Sequence, residues 1–508
     1  MISSTDFNKL LKTTGEVGTV IQVRHPINLV EGLYGVRLTE VVRFENGDTG
    51  QIISLTPDFA EVLVFGSQPT PIGTRVARTA NAISIPVSDG ILGTTINALG
   101  QATTSQQNLD LSQIAGQASI DPNPPGLEDR LPVTKHFETG VRLIDIMTPL
   151  GKGQRQLIIG QRKLDKSTFL RQAMASHIKN HGIVVYAAIA KQQAEILELE
   201  LYLTKLQATG NTVLVYSLAA DSSGLIYLTP YTAMSVAEYF KDQGREVLVI
   251  HDDLTMHAKH YRKISLLLER FPGRNSYPGD IFYVQSRIIE RAGNFKKGSI
   301  TALAVAETVS ASISEFIPTN LMGMTDGHLY FDKDLYNQGV RPAIDPLLSV
   351  TRVGHQTQSK LVNSVSREVA RLLVQFERTE ALVHFGGQLS ETAQATLTIG
   401  RQLTDFFNQK TGESTPVTVS LVLVIALLSG WWTDADTDKI NSLISSATDH
   451  YNQDQKYRQK MNEILTNSKT IEEAKGKIQS DSEIFDTVTT SRLTQTSTED
   501  NNQETNNK

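Results

Sequence analysis

Gln156-Leu-Ile-Ile159, followed by Gly160-Gln-Arg-Lys-Leu-Asp165-Lys166-Ser167 and then Thr168-Phe-Leu-Arg-Gln-Ala173, decides the architecture of this chain. A short apolar run ends at a glycine, passes through a polar loop and enters a helical stretch. The spacing follows the phosphate-loop pattern Gly-x4-Gly-Lys-Ser/Thr. In that pattern successive backbone N–H groups and a helix N-terminus surround phosphate oxygens. Gly160, Gln161, Arg162, Lys163, Leu164, Asp165, Lys166, Ser167 and Thr168 are therefore the candidate phosphate-binding residues. Lys166 is expected to neutralise charge, and Ser167 to hold magnesium.

Asp165 stands where the pattern has its second glycine. A Cβ there obstructs close approach of the backbone to phosphate. A carboxylate is also repelled by phosphate, by roughly 4 kcal/mol at about 4 Å in an effective dielectric near 20. Arg162, Lys163 and Lys166 offset part of that repulsion. Two readings stay open, a loop that binds nucleotide ordinarily and one that keeps its shape but binds weakly or not at all.

Outward from the loop, Gly182-Ile-Val-Val-Tyr-Ala-Ala188 and Arg245-Glu-Val-Leu-Val-Ile-His251 are buried-type strands that alternate with helical stretches. This is the grammar of a parallel α/β sheet. The second of them ends in Asp252-Asp253, and Asp252 is the candidate magnesium carboxylate. Upstream, from Gly15 to Ser84, short Val-, Ile- and Leu-rich runs alternate with turn signals, which predicts a small antiparallel barrel. Asp121-Pro-Asn-Pro-Pro-Gly126 reads as a stiff connector. Downstream, Val362–Phe376 and Leu397–Phe407 carry apolar residues at helical spacing. Thr487–Lys508 is a polar stretch expected to be disordered.

The whole chain has 508 residues, with Lys+Arg 48 against Asp+Glu 54 and no cysteine. Disulfides, thiolate catalysis and thiolate metal sites are excluded, and a generic polyanion binder is disfavoured. Met1–Asp6 shows neither the basic nor the apolar region of a secretory leader. The greasiest run, Val417–Trp432, falls short of the about 20 residues a bilayer span needs and reads as a buried helix.

The stretches Tyr277-Pro-Gly-Asp-Ile-Phe-Tyr283, Gly298-Ser-Ile-Thr-Ala-Leu303, Ile317-Pro-Thr-Asn320, Thr325-Asp-Gly-His-Leu329 and Gly339–Gly354 closely resemble the F1 ATPase subunits, and the non-catalytic alpha type more than the catalytic beta type. The likeness runs from about Glu16 to about Leu403. It implies a multi-domain fold, with an N-terminal antiparallel β-barrel crown (1–84), a RecA-like α/β phosphate-loop domain (85–368) and a C-terminal α-helical domain (369–480), before the tail (481–508). It also implies Mg-ATP or Mg-ADP as cofactor, and an alpha3–beta3 hexamer with a beta-like catalytic partner around a gamma-like shaft. The expected location is cytoplasmic, peripheral on the inner face of the cell membrane.

Residue by residue, the resemblance puts Arg352 on the family's arginine finger, which reaches into a neighbouring subunit's site, and Ser349 on the interface strand. Tyr336 falls beside the nucleotide base and Arg341 near it, while Gln409 falls near the family's adenine contacts in a longer, divergent segment. Catalytic chains carry Gly-Glu-Arg after the strand that follows the phosphate loop. Here Ala190-Lys191-Gln192 stands there, and Lys191 is no carboxylate base. Glu307, an acidic residue of the pocket, does not replace it.

The short segment before Glu16, the divergence after Gly412 and Asp165 itself are similar to the divergent alpha-like subunits of wall-less bacteria. Some of those are associated with gliding motility, with membrane or cytoskeletal partners reached through the C-terminus. The alternatives are the alpha subunit of the housekeeping F1Fo synthase, coupled to proton transport, and a Rho-like RNA translocase. The last needs a basic, aromatic N-terminal module. Phe7, Tyr34, Phe44, Phe59 and Phe65 have no basic cluster around them, so no nucleic-acid partner is expected.

Overall fold

Alternating apolar residues close the N-terminal segment on itself. β1 (Val17–Arg24), β2 (Ile27–Glu31), β3 (Glu40–Phe44), β4 (Thr49–Leu55), β5 (Ala60–Val64) and β6 (Arg75–Ala82) form a closed barrel in the order β1-β2-β5-β4-β3-β6. Every pairing in it is antiparallel. Val20, Val30, Val42, Phe44, Ile52, Val62 and Val76 fill its interior. Closure leaves no edge strand open to a foreign chain. The barrel read from Gly15–Ser84 is therefore present. A helix over Ser4–Thr14, which the sequence reading did not foresee, precedes it. Its Phe7 is buried beneath the Arg75 guanidinium, 5.7 Å from the ring centre.

The structure, a computed structural model, describes residues 4–102, 116–310, 313–384, 390–432 and 435–480. The tail at 481–508 lies outside them. Two compact units emerge, one of Met1–Val133, Lys152–Arg162 and His177–His328, the other of Thr134–Gly151, Lys163–Ser176 and Leu329–Lys508.

The first unit holds the barrel and a parallel sheet whose strands run Thr95–Asn97, Thr212–Leu218, Ile183–Lys191, Glu246–Asp252, Ser299–Thr308 and Arg155–Gln161 in spatial order. All five pairings are parallel. The central strands read as unbroken apolar runs because both faces are covered, and Ile183–Ala190 is buried throughout. Asp121–Gly126 is non-helical, as its prolines require.

The second unit is mostly helical. Lys360–His384 and Glu391–Phe407 contain the two segments read as helices. They approach closely at Gly400, where a Cβ would lie 2.2 Å from the Phe376 ring. Val417–Leu428 is a helix buried from Val419 to Leu427, matching the core helix expected there. No helix among the described residues is long and apolar enough to cross a membrane.

Candidate nucleotide site

Parallel strands place their carboxyl ends on one edge of a sheet, where such folds collect ligand-binding groups. Register determines which residues meet there. Gly160 lies opposite Glu307, Gln161 opposite Thr308, and Ala188 opposite Asp252. A cavity of about 530 Å³ opens at this edge, lined among others by Gln161, Arg162, Thr255, Lys259, Glu307 and Thr308.

The loop that leaves this edge departs from ordinary L-residue geometry at two positions. Lys163 has φ +64° and Asp165 φ +62°. Asp165 thus holds the left-handed conformation that the missing glycine would adopt freely. Aspartate tolerates that region better than most residues, because its short side chain bonds locally. Here the Thr168 hydroxyl donates to Asp165 Oδ1, and Thr168 N–H to Asp165 O at 3.2 Å. The helix Lys166–Lys179 starts directly after. Leu164 and Lys166 are buried, Gly160 is buried in its strand, and Ser167 is exposed.

Two carboxylates at the sheet edge, Glu307 and Asp252, are engaged by this chain's own cations. Arg162 Nε donates to Glu307 Oε2 at 2.6 Å, which holds the guanidinium above its ordinary pKa. Tyr186 Oη donates to Asp252 Oδ2 at 2.6 Å, and Lys191 Nζ lies 2.8 Å from the same oxygen. Lys191, read as following its strand, is the strand's last residue. The pairing with Thr212–Leu218 slips between Ala188 and Lys191, and Ala190 takes φ +54°. A bulge of this kind re-aims the side chain beyond it. Burial alone would lower the Lys191 pKa, but Asp252, Asp253 and Glu195 outweigh it and raise it. Next to Asp252, burial pushes Asp253 up to about 7, with the Glu307 and Asp252 charges adding to the effect. Asp253 Oδ1 accepts Met256 N–H at 2.6 Å and caps the following helix.

This donor set does not suit magnesium at Asp252. Lys191 already pairs with Asp252 Oδ2. A divalent cation about 4 Å from its ammonium would meet a repulsion of roughly 8 kcal/mol at an effective dielectric near 20, set against the attraction of the neighbouring carboxylates. Among the described residues no group of three or more His, Asp or Glu side chains could hold a metal ion.

In the second unit, Arg352 follows the strand Ile344–Thr351 and is exposed. The turn beneath it is rigid. Thr351 Oγ1 donates to Pro149 O at 3.0 Å and accepts Gly354 N–H at 3.0 Å. A Cβ on Gly354 would fall 1.7 Å from Pro149 O, so only glycine fits. Ser349 Oγ donates to Asp345 O at 2.6 Å and accepts Tyr330 N–H at 3.0 Å. Its hydroxyl braces the strand.

Arg341 lies over the Tyr336 ring at 3.8 Å and donates to Tyr336 O and Val340 O. Gln409, expected beside a base, is buried with its amide taken up. Nε2 donates to Gly140 O at 2.8 Å and Glu413 O at 2.6 Å, while Oε1 accepts Arg142 N–H at 3.0 Å. It is fixed as a brace for the segment that follows.

Sequence reasoning missed Tyr186 and Arg142. The alternation along Ile183–Lys191 places Tyr186 opposite Ile250, two residues before Asp252, and that spacing was the available signal for its hydroxyl. Arg142 is fully buried, with bonds to Phe406 O, Asn408 O and Thr415 Oγ1. Nothing in its local sequence marks a buried cation.

A parallel sheet ending in a phosphate loop, with an arginine on a braced turn, defines a phosphate-loop nucleotide-binding protein, and the chain belongs to the ATP synthase alpha/beta family. Residues 140–351 match that family's nucleotide-binding domain and residues 358–485 the C-terminal domain of the ATP synthase alpha/beta chain. Within the family its similarity is to alpha subunits. It is 35% identical over 430 residues to the ATP synthase subunit alpha of Helicobacter pylori strain HPAG1, covering 84% of this chain and 85% of that one. To the ATP synthase subunit alpha of Neorickettsia sennetsu it is 36% identical over 445 residues, with 84% and 86% covered.

Proposed function

We propose that this chain is the non-catalytic, alpha-type subunit of an F1-type rotary ATPase, and that it donates Arg352 to ATP chemistry in a neighbouring beta-type subunit of an alpha3–beta3 hexamer around a gamma-type shaft. The observation that carries the reading is the exposure of Arg352 on a turn braced through Thr351, Gly354 and Pro149. An exposed guanidinium on a braced turn suits charge spread over a transferring phosphoryl group. The chain's own site lacks a base, because Lys191 occupies the position of the carboxylate and is tied to Asp252. Its phosphate loop, with Tyr336 and Arg341 toward the base, binds ATP or ADP without hydrolysing it.

The purified chain should show negligible ATPase activity, and adding its beta-type partner should restore turnover. Arg352→Ala should depress the reconstituted rate by about a hundredfold or more. Robust hydrolysis by the chain alone, or unchanged turnover in the Arg352→Ala complex, refutes the proposal.

The departures at Asp165 and Lys191 favour a specialised F1-like machine, peripheral on the inner membrane face and coupled to motility or similar work through C-terminal contacts. The second reading is the subunit of a synthase coupled to proton transport, supported by the similarity to ATP synthase alpha subunits over most of both lengths. Affinity purification of the native complex separates them. Co-purifying proton-channel subunits select the synthase, and their replacement by other membrane or cytoskeletal proteins selects the specialised machine.

A further inference from the structure

We infer that Lys191 takes the place of the divalent cation at this chain's own site, so that the chain binds a nucleotide polyphosphate in its metal-free form. The inference rests on the nucleotide-binding part of the reading above and specifies the form of the ligand.

Three observations lead to it. The bulge at Ala188–Lys191, with Ala190 at φ +54°, turns the Lys191 side chain back so that Nζ reaches Asp252 Oδ2 at 2.8 Å. The lysine side chain is 19% exposed and the aspartate 10%, so the pair is largely withdrawn from water. A cation competing for Asp252 Oδ2 must displace a largely buried ammonium, not solvent.

Tyr186 Oη donates to the same oxygen at 2.6 Å, so the carboxylate is held by two donors from one strand. A magnesium ion requires near-ideal octahedral geometry and accepts only oxygen ligands with an open lone pair directed at it. Oδ2, shared by a phenol and an ammonium, does not offer that, and a cation at Oδ1 would stand beside the same ammonium. Another carboxylate of this edge, Glu307, is occupied by Arg162 at 2.6 Å. Arg162 and Lys191 therefore neutralise Glu307 and Asp252, and Lys259 lines the cavity beside Arg162 and Glu307. A nucleotide without magnesium carries additional negative charge, and fixed cations meet it without a coordinated ion. Lysine suits this role as a compact point charge on a flexible stem.

The test is binding of mant-ADP to the full chain, followed by fluorescence in excess EDTA and in excess Mg²⁺. The wild-type affinity should agree within about twofold between the two buffers, and in Lys191→Gln added Mg²⁺ should tighten binding by about tenfold or more. Mn²⁺ electron paramagnetic resonance on the wild-type chain with ADP gives a second readout that does not depend on the variant's folding. It should show no stoichiometrically bound metal. Tightening by about tenfold on adding Mg²⁺ to the wild type, or one Mn²⁺ held per chain, overturns the inference. Absence of mant-ADP binding in both buffers overturns it together with nucleotide binding at this site. The Arg352→Ala assay reports on the neighbouring subunit and is unaffected, so the two failures are distinguishable.

Discussion

Lys191 Nζ and Asp252 Oδ2 stand 2.8 Å apart on adjacent parallel strands, and Tyr186 donates to the same oxygen. Removing one partner of a largely buried pair leaves the other charge uncompensated, whereas removing both is often nearly neutral. Lys191→Met should therefore destabilise the chain by about 2 kcal/mol, a value set below the range for fully buried pairs because the lysine keeps some water contact. Adding Asp252→Asn, which still accepts the Tyr186 hydroxyl, should recover most of the loss. Urea unfolding of the two variants checks this, and a double variant no more stable than the single one contradicts it.

The limits of the sequence are visible in that pair. Val184–Ile189 announced a buried strand because its apolar run is continuous, and Asp252 announced itself by ending one. Neither said that the strand would bulge at Ala190 and turn Lys191 onto its neighbour, since periodicity assigns a face and not a partner. The barrel was legible for the same reason, in short alternating runs closed by glycine turns. The Ser4–Thr14 helix was not, because its few apolar positions are covered by a barrel strand that local pattern does not reveal. Gln409 was placed by likeness alone, which does not show that its amide bonds Gly140 O, Glu413 O and Arg142 N–H.

Arg142 is the largest fully buried cation of the second unit, and burial lowers its pKa to about 10. Its guanidinium satisfies Phe406 O, Asn408 O and Thr415 Oγ1, and so ties the end of one helix to the loop before the next. Arg142→Met leaves those acceptors unpaired in the interior, and each orphaned group costs about 1–3 kcal/mol. A loss of roughly 3 kcal/mol is expected, with faster amide exchange confined to residues 408–416. Lysine should rescue little, since it lacks the planar fork. Hydrogen exchange with mass spectrometry distinguishes this local loosening from general unfolding.

Acid should weaken the fold through histidines held neutral. Burial depresses His257 to about 3 and His177 to about 4. His257 stacks on Tyr227 and faces Tyr231, with His260 nearby, while His177 faces the Glu246 carbonyl and Lys152. The unfolded chain takes up these protons near pH 6.5 and the folded chain does not, so the stabilisation is present above about 6.5 and is lost as pH falls toward 3–4. By pH 5 each site should have lost on the order of 2 kcal/mol. Asp145 acts in the opposite sense. Burial first, then Glu138, raises it to about 8 despite the bonds it accepts from Thr139 and Gly140. Its contribution is complete below about pH 4 and fades as pH rises through 8. His257→Phe, which keeps the stack on Tyr227, should flatten the acid limb of an unfolding-midpoint curve. Asp145→Asn should flatten the alkaline one.

Asp165 occupies a backbone conformation, φ +62°, that glycine adopts without strain. Replacing it by glycine has three effects. It relieves a left-handed residue, by about 1 kcal/mol, and it removes the bond from the Thr168 hydroxyl. It also removes the carboxylate. The first two nearly offset one another, so the thermal midpoint should move little. The third does not cancel, because repulsion of roughly 4 kcal/mol at about 4 Å disappears. Screening and the neighbouring Arg162, Lys163 and Lys166 reduce what is realised, and a gain in mant-ADP affinity of about ten- to a hundredfold is expected. Asp165→Asn separates charge from shape. Asparagine tolerates the same φ and keeps an acceptor for Thr168, so it should recover most of the affinity gained with glycine if electrostatics controls the site. If glycine tightens binding and asparagine does not, the Cβ and not the charge is what holds phosphate away.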